Sequence, residues 1–463
     1  MKAYVGYEIF PDRFYRVGKS EDFLSWDKPV VQHEGQEYDF YGGNLKGIIS
    51  KIPYLRDLGI EFIYITPIFK ATTNHRYDCM DFFSIDPVLG DENDIEKLCK
   101  IVHNNGMQIF IDVTFNHVGS KHPWFKSAVE NGKEKDFFRK KADNFVYWAN
   151  VKNMPELNLE NEKLKEILWG VKNSVLEKWI KIGVDGLRLD CAYELGYDYC
   201  HEITTNVKKI GGKTAVGEIW SYPQEWISNG ILDGVMNYYF MEIIKKYISR
   251  KIDGNFAAKI LSDTVKDCGG NVLLSSWNML SSHDTPRIKN IFDKLWKLAV
   301  ALQFTLPGSP IIYYGEEIGL NSKGDPFCRE PMKWELASQS NETLMFYRAI
   351  ISLFKNSKAL NEGFFESVIS NTPEVLAFMR KTDRVSETKL VVVNPTNEDK
   401  KVELYTHDSA LMNDTFFIDH FSNNRLSIKC SIISGEISAG SFGIFYIKID
   451  DSEYTPYKRI NKS

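Results

Sequence analysis

Eight short apolar segments that alternate with helical stretches are the feature that most constrains how this chain can fold. The segments span residues 5–10, 62–69, 107–115, 185–191, 214–220, 234–240, 278–283 and 309–315. Continuous apolar runs of this length are typical of parallel strands that are covered on both faces. Eight strands that each lead into a helix fit a closed (β/α)8 TIM barrel better than an open sheet, so we predict an α/β fold of that kind.

The segments between these strands carry helix signals. Residues 47–59 have apolar periodicity and end at Gly59, a residue type that commonly terminates helices, and Asp91 is expected to cap the next helix. One longer helix before the fourth strand is predicted to bury Ile167, Leu168, Val171, Val175 and Trp179 on one side.

Two interruptions of this pattern indicate further domains. Residues 117–159 are rich in Lys, Asn, Phe and Trp and are too long for an ordinary strand-to-helix loop, so we expect an inserted small domain there. From residue 363 to residue 463 strands and turns replace helices, which predicts a C-terminal antiparallel β-sandwich. Its strands are expected at 375–380, 389–393, 401–404, 426–431 and 442–448. The barrel is then expected to comprise residues 1–116 and 160–362.

Composition narrows the class of partner. A net charge of −5 gives no electrostatic attraction to nucleic acid or to acidic membranes, and it suits a neutral substrate better. The sequence contains no apolar run long enough for a membrane span and no N-terminal signal-peptide pattern. Seven scattered cysteines without a Cys-x-x-Cys pair argue against a disulfide framework and against a zinc site. If Met1 is the natural start, we expect a cytoplasmic protein.

Polar and charged side chains gather at the predicted carboxyl ends of the strands, where the reactive groups of such barrels lie. They are Asn116, His117, Arg188, Asp190, Glu218, His283 and Asp284. For residues 183–191 alone, a structural ion pair between Arg188 and Asp190 is an equal alternative, because residues two apart on a strand share one face. The whole set at one barrel mouth indicates catalysis instead, and paired carboxylates are what glycoside hydrolysis requires. We expect the clustered charges to raise the pKa of the acid, while Arg188 keeps the nucleophile ionised.

Four ordered segments carry a family resemblance. Residues 112–117, 186–190, 217–220 and 282–285 are similar to the four signature regions of the α-amylase superfamily, glycoside hydrolase family 13. The resemblance covers nearly the whole chain and implies a retaining mechanism. It implies that Asp190 is the nucleophile, that Glu218 is the general acid and base, and that Asp284 is a third catalytic carboxylate that holds sugar hydroxyls.

The same resemblance assigns contacts with the sugar at the cleavage site. Arg188, His117 and His283 are expected to touch this sugar. Tyr77, in the His-Arg-Tyr-Asp segment 75–78, is expected to stack under it.

Further segments resemble one subgroup, which contains neopullulanases, cyclomaltodextrinases and maltogenic amylases. Residues 154–158 are similar to its Met-Pro-Lys-Leu-Asn stretch, where oligo-1,6-glucosidases carry Gln-Pro-Asp-Leu-Asn. Residues 325–332 resemble a loop of this subgroup, and the resemblance implies that Asp325 and Arg329 bind the glycone side. Trp220 is similar to the subgroup's acceptor-side aromatic residue.

The chain also departs from the subgroup. Glu156 replaces the lysine of the Met-Pro-Lys-Leu-Asn stretch. Subgroup members usually carry an extra N-terminal sandwich domain, whereas the barrel pattern here begins with the first residues, so we expect a monomer or a weak oligomer. The calcium-binding amylases have a Lys-His pair soon after the nucleophile, where this chain has residues 191–194, and residues 16–19 replace an Asn-Gly-Asp loop of the subgroup. Asn116 is retained, but its role can be purely structural. We predict that no cofactor or metal is required and that calcium binding is unsupported.

Three functional hypotheses follow. The leading one is a retaining α-glucan hydrolase that cleaves α-1,4 bonds in maltodextrins, cyclodextrins, pullulan or starch, with transglycosylation left open. An α-1,6-glucosidase or a glucanotransferase of the same family shares every catalytic residue and is separated only by residues 154–158 and 325–329. A non-catalytic glucan-binding protein is disfavoured because all three catalytic carboxylates are present. Nucleic acid and membranes are not expected partners.

Overall fold

Eight parallel strands close into a barrel in the computed structural model, which describes residues 1–18 and 24–448. The strands are β1 (Gly6–Ile9), β2 (Phe62–Ile65), β3 (Gln108–Val113), β4 (Gly186–Leu189), β5 (Thr214–Ile219), β6 (Gly234–Asn237), β7 (Trp277–Asn278) and β8 (Ser309–Tyr313). Each strand pairs with its neighbours in chain order, and β8 pairs with β1 to close the ring. The predicted TIM barrel is therefore confirmed.

The strands form where they do because both of their faces are buried. The barrel interior is filled by large side chains, in which Phe62 stacks on Trp277 with ring centroids 5.3 Å apart and Met236 and Ile311 are fully enclosed. The outer faces pack against the surrounding helices in the main hydrophobic core.

The longer helices are α1 (Leu45–Leu58), α2 (Glu92–Asn104), α3 (Glu162–Trp169), α4 (Val175–Ile182), α5 (Ala192–Ile210), α6 (Tyr238–Ile248), α7 (Gly254–Cys268), α8 (Trp296–Thr305) and α9 (Glu342–Lys355). Shorter helices span Pro11–Phe14, Gln224–Ser228, Gly270–Leu273, Ile288–Phe292 and Lys358–Asn361. As predicted, α1 ends at Gly59, whose φ of 102° is a left-handed conformation that glycine adopts without strain. The predicted cap of α2 is also confirmed, because Asp91 accepts from the backbone N–H of Asp94 in a capping box.

The single helix predicted before β4 is wrong, because the chain forms α3 and α4 with a break between them. Gly170 ends α3, and Asn173 has a left-handed φ of 55°. Ser174 then begins α4 by accepting from the N–H of Glu177. Val171, predicted to be buried, lies in the break and is 42% exposed.

The predicted seventh strand is also wrong in its bounds. The strand ends at Asn278, so His283 and Asp284 lie on the loop beyond it. The chain turns away because the hydroxyl of Ser281 donates to the buried carboxylate of Glu316, which follows β8. Loop geometry, rather than a strand end, therefore presents Asp284 to the barrel mouth.

The segment 117–159 leaves the barrel after β3. It contains the helix Pro123–Val129 and a small hairpin of Lys140–Lys141 with Asn144–Phe145. Phe125 and Phe138 are buried in the main core, and an isolated bridge between His117 and Glu156 joins the two ends of the segment. The segment therefore packs onto the barrel near the end of β3. A second hairpin, Phe69–Ala71 with Cys79–Ile85, follows β2.

Eight antiparallel strands form the C-terminal part of the described chain. They are β9 (Phe364–Ser370), β10 (Leu376–Lys381), β11 (Lys389–Asn394), β12 (Lys400–Tyr405), β13 (Thr415–Asp419), β14 (Arg425–Lys429), β15 (Ile432–Ile437) and β16 (Ser441–Ile447). Their order is β9-β10-β11-β16-β13-β14-β15-β12, with β12 pairing back to β9 around a separate apolar core. Each of the five predicted strands overlaps one of these, while β9, β13 and β15 were not predicted. The last predicted residues, 449–463, and Lys19 lie outside the described ranges. Across residues 1–18 and 24–448, every helix is too short or too polar to cross a membrane.

Candidate active site

A cleft lies at the carboxyl ends of the barrel strands, and the predicted site residues meet there. Its cavity of about 570 Å3 has the size of a small-molecule binding site. Eight predicted residues line it: Tyr77, His117, Asp190, Glu218, Trp220, Asp284, Asp325 and Arg329. The other two, Arg188 and His283, are fully buried and contact Asp190 and Asp284 from below the cleft.

Arg188 holds three carboxylates together at the base of the cleft. Leu189 of β4 pairs with Gly217 of β5, so Asp190, which follows β4, lies beside Glu218 near the end of β5. Nη1 of Arg188 donates to Oδ1 of Asp190 at 2.8 Å, and Nη2 lies 3.0 Å from Oε2 of Glu218. Nη1 also donates to both oxygens of Asp112, at 3.0 and 2.9 Å. The arrangement is more than a structural pair of Arg188 and Asp190, because one cation serves three acids.

Burial and this charge balance raise the pKa of two of these acids, Asp190 and Asp112. Burial raises the pKa of Asp190 to about 8, since the lowering effect of Arg188 is outweighed once Glu218 and Asp112 add their like charges. Burial likewise raises the pKa of Asp112. Arg188 lowers the pKa of Asp190, but its guanidinium is shared among three acids and burial outweighs this effect.

Glu218 is fixed in place by two N–H donors. The backbone N–H of Cys191 donates to Oε2 at 3.0 Å, and the indole Nε1–H of Trp220 donates to Oε1 at 3.0 Å. The ring of Trp220 stacks on Tyr238 with centroids 3.6 Å apart, yet it is 56% exposed. The carboxyl group thus lines the cleft beside an accessible aromatic surface.

A buried hydrogen-bonded chain supports the other side of the cleft. Nδ1 of His283 lies 2.6 Å from Oε1 of Glu8, and its Nε2 lies 2.6 Å from the hydroxyl of Tyr77 and 3.0 Å from Oδ2 of Asp284. Burial disfavours a charged imidazole, but Asp284 and Glu8 outweigh it and raise the pKa of His283 to about 10. His283 is therefore an imidazolium at neutral pH, and the Tyr77 hydroxyl donates onward to Asp112 at 2.9 Å.

Asp284 is held as an anion at the surface of the cleft. His283 and Arg329 lower its pKa well below the ordinary value, although burial opposes them. Nη2 of Arg329 lies 3.0 Å from Oδ1 of Asp284, and Nη1 lies 3.1 Å from Oδ1 of Asp325. Arg329 therefore joins the loop after β8 to the loop after β7.

His117 and Cys191 complete the floor beside Asp190. His117 is 1% exposed and stacks on Trp148 with centroids 5.3 Å apart, and burial lowers its pKa to about 4. The thiol of Cys191 donates to Oδ2 of Asp190 at 3.2 Å. His117, Asp190 and Cys191 have ligand atoms within 4.8 Å of one another, and they are the one such group of His, Cys, Asp and Glu among the residues that the structure describes.

This donor set does not suit calcium, which takes six to eight oxygen ligands. Asn116, the residue retained from the calcium-binding pattern, donates its side-chain amide to Oε2 of Glu194 at 3.2 Å and so has a structural partner. The side chains that the structure brings together here therefore give no basis for routing a catalytic step through calcium.

Sequence reasoning missed several residues that shape the cleft. Asp112 was noted only as part of a motif, and Glu8 was not noted at all, although each is a lone acid inside an apolar strand segment. That pattern was a usable signal, because a fully buried carboxylate requires a partner. Residues of the segment 30–41, among them the 50% exposed Tyr38, form one wall of the cleft. Trp148 and Met154 line another part of it. Glu156 does not line the cleft and instead pairs with Arg139 at 2.6 Å.

Curated relatives share most of this chain. It is 33% identical over 413 residues to a cyclomaltodextrinase from a Bacillus species. The aligned residues cover 85% of this chain and 73% of that protein. It is 34% identical over 402 residues to an intracellular maltogenic amylase from Bacillus subtilis, with coverage of 83% and 67%. It is 33% identical over 427 residues to neopullulanase 2 from Thermoactinomyces vulgaris, with coverage of 88% and 72%.

A solved structure and a family model agree with these relatives. The fold is similar to that of the cyclic α-maltosyl-(1→6)-maltose hydrolase from Arthrobacter globiformis in its ligand-free form, with a TM-score of 0.81 and 26% identity over 96% of this chain and 98% of that one. The model of the α-amylase catalytic domain matches residues 8–146 and 138–385, more than half of the chain. The chain therefore belongs to the α-amylase family of glycoside hydrolases, and its relatives include members of the cyclomaltodextrinase, neopullulanase and maltogenic amylase group.

Proposed function

We propose that this α-glucan hydrolase cleaves α-1,4-glucosidic bonds with retention of configuration, in maltodextrins, cyclodextrins, pullulan or starch. The observation that carries the proposal is the bridging of Asp190 and Glu218 by the two terminal nitrogens of Arg188, at 2.8 and 3.0 Å. A shared guanidinium keeps the two carboxyl groups close. This closeness favours the retaining arrangement, with a separation of about 5–5.5 Å, over the wider inverting one.

The reaction proceeds in two displacements. Asp190 attacks the anomeric carbon and forms a glycosyl ester, while protonated Glu218 gives its proton to the departing glycosidic oxygen. Water then enters, Glu218 takes a proton from it, and the resulting hydroxide attacks the anomeric carbon and frees Asp190. The first displacement uses the microstate with the proton on Glu218 and the charge on Asp190.

The surrounding groups support the positive charge that develops on the sugar. Asp284, which contacts His283 and Arg329, holds sugar hydroxyls and stabilises the oxocarbenium-like state. Tyr77 offers its ring as a platform, since its hydroxyl is fixed by Asp112 and its ring stacks on His283 with centroids 5.5 Å apart. His117 has a neutral ring at the floor of the cleft, suited to a hydroxyl contact.

The outer residues are proposed to set substrate preference. Asp325 and Arg329, linked at 3.1 Å, bind the glycone side, and the exposed face of Trp220 carries the acceptor-side sugar. Relatives named cyclomaltodextrinase, neopullulanase and maltogenic amylase support a preference for small or cyclic glucans. Whether the released glucosyl group goes to water or to a second sugar depends on this acceptor side, so transglycosylation belongs to the same proposal.

One alternative has a specific observation in its favour. A similar structure acts on a cyclic maltosyl-(1→6)-maltose, which contains α-1,6 bonds, and this keeps an α-1,6-glucosidase or a glucanotransferase as the second candidate. A purely glucan-binding role is disfavoured by the intact arrangement of Asp190, Glu218 and Asp284.

A product profile on β-cyclodextrin, pullulan and soluble starch at equal enzyme concentration tests the proposal. We expect fast opening of cyclodextrin to maltose, panose from pullulan and slow cleavage of starch. Rapid loss of starch viscosity with poor use of cyclodextrin would contradict the subgroup assignment. Cleavage confined to the α-1,6 bonds of pullulan, with maltotriose as the product, would select the second candidate. Asp190→Asn should abolish hydrolysis but leave binding, and undiminished turnover would refute its role as nucleophile.

We infer further that the protein works in the cytoplasm as a monomer or a weak oligomer, without a required metal. The Bacillus subtilis relative is named as intracellular, and all seven cysteines are free thiols, which suits a reducing compartment. Cell fractionation would test the location, and sedimentation would test the oligomeric state.

A further inference from the structure

We propose that His117, Asp190 and Cys191 form a three-donor site for a divalent transition-metal ion such as Zn2+, and that this ion inhibits hydrolysis by occupying the cleavage site. The spacing of the cysteines in the sequence did not predict it, because the donors come from two different strand ends. Its inhibitory part rests on the proposed function, whereas metal binding does not.

The three side chains lie close enough to one another to converge on a single ion. Their imidazole nitrogen, carboxylate oxygen and thiol sulfur lie within 4.8 Å of one another. Donors bound to one Zn2+ at about 2.0–2.3 Å lie roughly 3.5 Å apart, so about an ångström of side-chain movement brings them onto one ion. Three protein ligands leave the fourth position for water, as in sites that are open to solvent.

The environment of His117 is a second, independent indication that a ligand binds here. It is 1% exposed, and neither of its ring nitrogens makes a hydrogen bond within the described structure. Buried polar groups normally have a partner, so a buried imidazole without one is an exception that calls for a ligand. Stacking on Trp148 fixes the ring plane and keeps a nitrogen near Asp190 and Cys191.

The charge around the site favours a dication. Asp190, Glu218 and Asp112 share a single neutralising group, Arg188. Without a metal, the Cys191 thiol donates a hydrogen bond to Oδ2 of Asp190 at 3.2 Å. On metal binding that proton is released to solvent, and the ion takes its place between sulfur and oxygen. A donor set of sulfur and imidazole nitrogen selects Zn2+ or Cu2+ over Ca2+ or Mg2+.

Occupation of this site would block catalysis directly. Asp190 would give its carboxylate to the metal, and the ion with its water would stand in the cleft where His117 and Asp190 face the sugar. Zinc and glucan would therefore exclude one another.

Calorimetric titration of the full chain with Zn2+ tests the binding site. We expect one high-affinity Zn2+ per chain for the wild type and for the control Cys430→Ser, which removes the exposed thiol. In Cys191→Val the affinity should fall about tenfold or more, because one of three ligands is lost. Equal Zn2+ affinity in the wild type and in Cys191→Val would overturn the proposal. If Cys191→Val does not fold, as judged by circular dichroism, His117→Asn replaces it with the same expected loss.

Inhibition kinetics test whether Zn2+ binds in the catalytic cleft. The apparent inhibition constant of Zn2+ should rise linearly with glucan concentration, and chelation should restore full activity. Non-competitive inhibition would place the ion elsewhere and overturn the proposal. If no glucan is hydrolysed at all, the proposed function fails, while the titration still decides whether the metal site exists.

Discussion

The variant Arg188→Met tests how strongly one buried cation controls the ionisation of the acids around it. The guanidinium is fully buried and contacts Asp190 at 2.8 Å, so the two charge centres are about 4 Å apart. At an effective dielectric constant of about 20, this attraction is worth about 4 kcal/mol, which corresponds to a pKa change of about three. The pKa of Asp190 already lies at about 8. Raising it by about three lowers the ionised fraction at neutral pH about a thousandfold, and kcat/KM should fall by a similar factor.

The assay is the pH profile of kcat/KM on maltotriose from about pH 5 to about pH 10, which reports ionisations of the free enzyme. The acid limb of Arg188→Met should move to higher pH, and the variant should regain activity in alkali only over the range in which Glu218 keeps its proton. The variant should still fold, because the acids can take up protons instead of remaining as unpaired buried charges. Arg380→Met is the matched control, since Arg380 is equally buried but donates only to the carbonyls of Thr305 and Gly363. A variant Arg188→Met with kcat/KM within tenfold of the wild type, or with an unmoved acid limb, would refute the reasoning.

Three other perturbations test separate parts of the account. His283 has its folded-state pKa raised to about 10, so its contribution to stability is complete below about pH 6.5 and is lost as the pH rises through 10. Glu8→Gln should weaken this pH dependence of the urea unfolding midpoint, and an identical dependence in both proteins would argue against a charged His283. Trp220→Ala removes both an aromatic surface and a hydrogen bond to Glu218, so kcat/KM for maltotriose should fall about tenfold, and an unchanged ratio of transfer to hydrolysis products would contradict an acceptor-side role. Exhaustive treatment with a chelator should leave full activity, whereas a loss that calcium restores would contradict the absence of a required metal.

The barrel could be predicted from sequence because its strands are buried on both faces, which leaves short continuous apolar runs at regular intervals. The errors arose where local hydrogen bonds decide the structure. Gly170 and Ser174 divide one apolar-periodic stretch into two helices, since the first ends a helix and the second caps the next. In the same way Ser281 binds Glu316 and draws the chain away from β7, although the sequence there remains compatible with a strand.

The site could be predicted as a set of residues but not as an electrostatic system. Asp190, Glu218 and Asp284 were expected at one barrel mouth, and the cleft contains all three. The sharing of Arg188 with Asp112 depends on which side chains point into the barrel from neighbouring strands. A pairwise view of the sequence therefore left out Asp112, whose charge adds to the effects on the pKa of Asp190.

The most direct test of the account is to trap the covalent intermediate. The wild-type protein is incubated with 5-fluoro-α-maltosyl fluoride, which slows both displacements but allows the intermediate to accumulate, and the proteolytic digest is analysed by mass spectrometry. We predict one maltosyl adduct per chain, carried by the Asp190 side chain and absent from Asp190→Asn. An adduct on Glu218, or turnover that inverts the anomeric configuration without any adduct, would contradict the retaining mechanism assigned to this cleft.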